Sequence, residues 1–195
     1  MPDTKKNKIT YGFNNVHYAV VTETETENGI TVEYASPVRL PGGVSANLSK
    51  TITNTAVAAD DDPDFATLTD NKGYDGDITL LDVPDSFLTD CLGMKVDGET
   101  IVENKDDKPS PFALLFEIKG DALKRRRVFY RCTATNPSVT TQTKGDGTTA
   151  NNVALTISAR PAKDTGDIQR MCSESASSVY TNWYKAVALT TDVGE

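Results

Sequence analysis

The run FALLFEI, residues 112–118, sets the class of fold. It is almost continuously apolar, with aromatic residues at Phe112 and Phe116. It is far shorter than the roughly 20 residues a membrane-spanning helix needs. A short apolar run of this kind reads as a strand in the middle of a sheet, covered on both sides. Residues Arg127 to Ala134 follow as its hairpin partner, and the connection through Gly120 and Asp121 suits that pairing.

Working outward, the period of the chain is two. Val16, Tyr18 and Val20 alternate with His17, Ala19 and Val21, and Ile30, Val32 and Tyr34 alternate with Thr31 and Glu33. Val44, Ala46 and Leu48 repeat the pattern, and so do Val153, Leu155, Ile157 and Ala159. Strands with one buried face are written this way because successive side chains point to opposite sides. Turn residues stand between them. Asn28-Gly29 suits a tight primed turn, Pro41-Gly42-Gly43 ends an element, and Gly145-Asp146-Gly147 lies in a polar loop from Thr140 to Asn152.

One segment departs from this period. Pro84 to Gly93 carries helix punctuation, with Pro84 at the start, Asp85 in the first turn and Gly93 just past the end. A short helix over about 84–92 is expected, with Leu88 and Cys91, or Phe87 and Cys91, on one face. Near the C-terminus, Val179, Trp183 and Ala186 fit a helical face, whereas Tyr184, Ala186 and Ala188 fit a strand.

The segment from about 49 to 69 is the outlier. It is Thr-rich, runs into Asp60-Asp61-Asp62-Pro63-Asp64, and strands Ile52, Val57, Phe65 and Leu68 among polar neighbours. Long segments without a clean period are usually functional. The β-branched content points to an extended arm or a long hairpin, poorly ordered in a free subunit and ordered by contact with another. Ile52, Val57, Asp60, Asp61, Asp62, Phe65 and Leu68 are therefore interface candidates. Arg125, Arg126 and Arg127, from the basic run beginning at Lys124, are candidates to meet carboxylates of a neighbouring subunit.

The sequence carries no familiar catalytic motif. His17 is the sole histidine, so a His-based triad has one available member, and that member sits on an alternating strand. No G-x-S-x-G, phosphate-binding loop or dinucleotide fingerprint occurs. Asp60, Asp62 and Asp64 have the one-three-five spacing of an EF-hand loop, yet Phe65 stands where that loop needs Gly and Asn71 where it needs Glu. Three dispersed cysteines, Cys91, Cys132 and Cys172, form neither a disulfide framework nor a zinc pattern, and free thiols suit a reducing cytoplasm. Lys5, Lys6 and Lys8 are followed by Asn14, Asn15 and His17 rather than an apolar stretch, which is not the pattern of a secretory signal. The charge of −8 disfavours wrapping nucleic acid through its phosphates and favours repelling DNA that moves past.

Several strings resemble phage major tail proteins of the phi13 type. They are Thr10 to Ala19, Asn71 to Asp77, Val83 to Phe87, Lys108 to Glu117, Cys132 to Ser138 and Asn182 to Tyr184, and their order spans nearly the whole chain. The resemblance implies a single mainly β domain over 1–195, an antiparallel sandwich or barrel-like tail-tube fold. One short flanking helix, an N-terminal extension of about 1–9, the long loop of about 49–69 and a C-terminal tail of about 188–195 complete it. It implies hexameric rings stacked into a tube around a tape measure protein, joined to a tail terminator and a tail-tip or baseplate hub. Genomic DNA passes through the lumen without specific binding. No enzyme activity, cofactor, metal or membrane is implied, and the location is the virion tail, assembled in the host cytoplasm. A different reading of the same strands is a virion-surface or carbohydrate-binding β-sandwich module.

Overall fold

A computed structural model describes residues 10–27, 29–138, 141 and 151–189. The apolar run is strand β8 (Phe112–Ile118), and it lies between β1 (Phe13–Thr26) and β9 (Arg126–Ala134). Phe112, Leu114 and Phe116 face one apolar cluster, while Ala113 and Leu115 face a second. Both faces of β8 are thus covered, which is why its sequence shows no alternation.

The main sheet continues outward on both sides. Its order is β2 (Gly29–Tyr34), β1, β8, β9, β10 (Val153–Arg160), β5 (Asp62–Leu80) and β4 (Gly43–Ala59). Two short strands join it, β3 (Val38–Arg39) on β1 and β11 (Gln169–Cys172) on β9. Strands β6 (Lys95–Asp97) and β7 (Thr100–Val102) form a separate small hairpin. Every pairing among the described strands is antiparallel.

The sheet folds back over the first cluster. Val16 and Tyr18 of β1, Ile78 and Leu80 of β5, Phe129 of β9, and Leu155 and Ile157 of β10 all meet there, with Ala46 and Leu48 of β4 packed against them. A Cβ on Gly43 would lie 2.9 Å from Val16 Cγ2, so the start of β4 presses on β1. Strands far apart in the sheet order therefore share one interior, and the fold is mainly β, antiparallel and sandwich-like.

Helix α1 (Asp85–Asp90) closes one side of this interior. Pro84 holds the extended N-cap position, and Gly93 takes the left-handed conformation at φ 79° beyond the helix. The buried pair is Phe87 and Cys91 rather than Leu88 and Cys91. Tyr18 ties the helix down, its hydroxyl lying 3.1 Å from Ser86 Oγ and 3.2 Å from Asp90 Oδ2.

The expectation of one helix is corrected to two. Helix α2 (Ser177–Asn182) covers the outer face of β1, β8 and β9, and Trp183 at its end is fully buried in the second cluster. Trp183 and Val187 enter that cluster together, which a strand through Tyr184, Ala186 and Ala188 would not allow. The first turn is also shifted. Its closing pair is Thr26 with Gly29, so Gly29 belongs to β2, and Asn28 lies outside the described residues. The same holds for most of the Thr140 to Asn152 loop, including Gly145-Asp146-Gly147, for the 1–9 extension and for the tail beyond Leu189.

The three cysteines are buried and free. Burial pushes the Cys132 thiol up to about 12, so it packs as a small neutral group.

Candidate functional site

The segment over 49–69, expected as an extended arm or a long hairpin, is a two-stranded hairpin ribbon. Strands β4 and β5 pair from Gly43–Leu80 out to Ala59–Asp62, so the ribbon's backbone groups satisfy one another within one chain. Asp60 and Asp61 form its two-residue tip, both at positive φ (50° and 62°), the geometry of a primed hairpin turn. Asp tolerates that region better than most residues because its short side chain bonds locally. Asp62 Oδ1 accepts the Asp64 N–H at 2.9 Å.

The ribbon leaves the body at a defined point. Strand β10 accompanies β5 only from Leu80 to Tyr74. Next to Tyr74, the register shifts between Thr51 and Ile52, and Lys72 is the extra residue of the bulge. Gly73 sits there at φ 113°, and a Cβ on it would lie 2.0 Å from the Ala159 carbonyl oxygen. Bulges bend a strand and raise its twist, which re-aims the ribbon away from the sheet. From Ile52 to Ala59 the arm extends about 25 Å at the usual rise per residue.

Neither face of this arm is covered. Alternation places Ile52, Asn54 and Ala56 on one face with Thr67, Thr69, Asn71 and Phe65. The opposite face carries Thr53, Thr55 and Val57 with Ala66, Leu68 and Asp70. Phe65 is 58% exposed and Leu68 64% exposed, and Ile52 and Val57 are exposed as well. The first face is free of charge, an arrangement suited to contact rather than to solvent. A lone two-stranded hairpin is marginal in water and gains stability from a surface to lie on.

The basic run does not lie on a single strand. Strand β9 begins only at Arg126, and Lys124 is a turn residue at φ 47°. Lys124 Nζ lies 2.8 Å from Glu174 Oε1, and Arg125 pairs with the buried Asp121. The hydrogen bond from Arg125 holds the Asp121 carboxyl below its usual range. Arg126 Nε lies 3.1 Å from Glu117 Oε2, and its Nη1 donates to the Tyr180 carbonyl at 2.6 Å. Its guanidinium stacks 3.7 Å from the Tyr180 ring centre and 4.8 Å from that of Tyr184. Arg125 and Arg126 therefore each have an ion-pair partner within the chain. Arg127 differs. It donates to Gln169 Oε1 at 3.2 Å and makes no ion pair among the described residues.

Arg127 stands on the rim of a cleft that sequence reasoning missed. Phe13, Ala46, Leu48, Phe116 and Phe129 line a cavity of about 340 Å³ at the open end of the sandwich. Its rings meet edge to face, with 5.2 Å between the centres of Phe13 and Phe116 and 5.1 Å between those of Tyr74 and Phe129. The rim is polar, and Gln169 Nε2 donates to the Tyr74 hydroxyl at 2.8 Å. Residues from β1, β4, β5, β8, β9 and β11 contribute, so no local motif announces it.

His17 has a structural place. Its ring stacks on Tyr184 with centres 4.4 Å apart, and Nδ1 lies 2.9 Å from the Asn15 carbonyl oxygen. Burial lowers its pKa, and the charge of nearby Arg39 acts in the same direction, against the hydrogen bond to Asn15 and the carboxylate of Glu117. The unfolded chain therefore binds the proton more readily than the folded one. His17 withdraws stability as pH falls through the ordinary histidine value of about 6.5, and not above it. The melting temperature of the wild type is expected to fall between pH 7.5 and 5.5, with a flatter profile for His17→Gln. Equal slopes in calorimetry would contradict this.

Among the described residues, no three of His, Cys, Asp and Glu converge to hold a metal, and no helix is long and apolar enough to cross a membrane. No protein-family model matches the chain, and no curated protein matches it.

Proposed function

We propose that this protein is a structural subunit that assembles with copies of itself through its arm. The observation that carries this reading is the solvated ribbon with exposed Ile52, Val57, Phe65 and Leu68. Such a ribbon, marginal alone, is stabilised when a partner covers it. Two free edges add to the case. Among the described residues β4 pairs only with β5, and β2 only with β1. Each leaves a row of unpaired backbone groups that another chain can complete.

The resemblance of its ordered strings supports the specific form of that assembly, the major tail tube subunit of a long non-contractile phage tail. In that role six copies close a ring, rings stack into a tube around a tape measure protein, and a terminator and a tip hub bound its ends. The acidic character of the chain then serves a lumen through which DNA slides without sticking. Purified protein is expected to form rings or tubes in negative-stain micrographs, either when concentrated or in the presence of a tail initiator complex. Monomers under both conditions would sink the reading.

A further inference from the structure

We infer that the aromatic cleft beside the arm's root receives the arm tip of a second copy of this chain, with Phe65 entering the cleft and the tip carboxylates meeting Arg127. This rests on the assembly reading and names the surface that reading lacks.

The two surfaces are complementary in shape class and in charge. The cleft offers about 340 Å³ walled by Phe13, Phe116 and Phe129. The arm offers a phenyl ring, Phe65, that is 58% exposed on an uncharged face. Close to Phe65 in sequence, at the tip of the ribbon, are Asp60, Asp61, Asp62 and Asp64, all exposed and none in an ion pair among the described residues. Around the cleft stands Arg127, the one member of the basic run that makes no ion pair among the described residues. Exposed Lys119 is close by, its backbone N–H bonded to Gly12 at the cleft wall. Burial of the ring supplies attraction, and the opposed charges orient the tip.

Geometry requires that the tip come from another molecule. The arm starts at Gly73, next to Tyr74 on the cleft rim, and its two strands stay paired to the Ala59–Asp62 pair at the tip, with register shifts at Thr51/Ile52 and Val57/Ala59. Phe65 is six residues beyond Asn71 in the ribbon, about 20 Å from the root at the usual strand rise. An arm cannot reach the cleft beside its own base without breaking its ladder. The contact is thus head-to-tail: each copy uses its arm on one neighbour and its cleft on another. Contacts of this kind propagate, into rings when the rotation closes and into stacks when it does not.

The test uses two full-length variants. Phe65→Asp spoils the arm and leaves the cleft; because Phe65 is solvent-exposed, the core is untouched. Arg127→Glu spoils the cleft rim and leaves the arm. Each alone is expected to need at least roughly tenfold more protein to assemble than the wild type, the effect of losing one buried aromatic or one oriented charge pair. Mixed in equal amounts, they are expected to give dimers that grow no further in analytical ultracentrifugation, since one good arm then meets one good cleft. Assembly of both variants at the wild-type concentration would overturn the docking while leaving the assembly reading in place. Variants that fail alone and also fail to dimerise when mixed would equally overturn it. A wild type that never assembles would remove both. Should Arg127→Glu lose its native circular dichroism, Phe65→Asp alone decides, because normal assembly by that variant is incompatible with the docking.

Discussion

Replacing residues 52–72 with an Asn-Gly turn is expected to yield a folded monomer that forms no tubes. The excised ribbon contributes nothing to either apolar cluster, and its side chains are exposed along the removed length apart from half-buried Ala59. The cut falls at the bulge, where the Thr51–Gly73 pair still closes the remaining strands. Asn-Gly adopts the positive φ angles of a two-residue turn more easily than Asp60-Asp61. Stability to urea should therefore change by no more than about 1 kcal/mol, the scale of a surface alteration. Assembly should be abolished, since the exposed apolar residues of the arm leave with it. Sedimentation and electron microscopy on the same preparation read both halves of the expectation. Normal tubes from this variant would show that the arm is dispensable and that the chain assembles through its other edges.

The largest effect on stability is expected at Trp183. Its side chain is fully buried against Ala19, Val21, Leu115, Val128 and Tyr130, on the face of β8 opposite the main interior. Trp183→Ala leaves a large cavity, and such truncations cost about 3–5 kcal/mol. Trp183→Phe should cost far less. It keeps most of the apolar volume, and it discards an indole N–H that has no partner among the described residues. The loss should be local in origin. Tyr184, the next residue, stacks on His17 and lies under the Arg126 guanidinium, so losing Trp183 loosens the whole seal made by α2. Urea denaturation of the two variants separates cavity from chemistry. A loss for Phe as large as that for Ala would mean that the indole itself, rather than the apolar volume it fills, holds the C-terminal segment down.

These two expectations differ in how far the sequence alone anticipates them. The arm is legible as an anomaly, a stretch where Ile52, Val57, Phe65 and Leu68 have no periodic partners. Its regular pairing is not legible, because register depends on which residue of β5 faces which residue of β4, and the bulge at Lys72 shifts it. Trp183 is visible only as an apolar residue in a segment that fits two patterns, and the choice between helix and strand is made by the face of β8 it must cover. The short strands β3, β6, β7 and β11 are missed for a simpler reason: at two to four residues they are too brief to display a period.

The basic run teaches the same lesson through electrostatics. Four adjacent cations read as a patch in one dimension. In the fold, Lys124 finds Glu174, 50 positions away, while Arg125 finds Asp121 four positions back and Arg126 finds Glu117 across the hairpin. Among the described residues, Arg127 alone of the four makes no ion pair.

The sequence by itself determined the class of the protein: antiparallel strands from the period of two, a doubly covered central strand from FALLFEI, a helix between Pro84 and Gly93, and the absence of familiar catalytic motifs. Those features are local, set by side-chain alternation and by backbone preferences within a few residues. Tertiary structure alone decided the aromatic cleft, the sharing of the cations and the direction of the arm. Each of these requires residues from distant strands to arrive at one place, and that arrival follows from burying two apolar faces of one curled sheet rather than from any short stretch of chain.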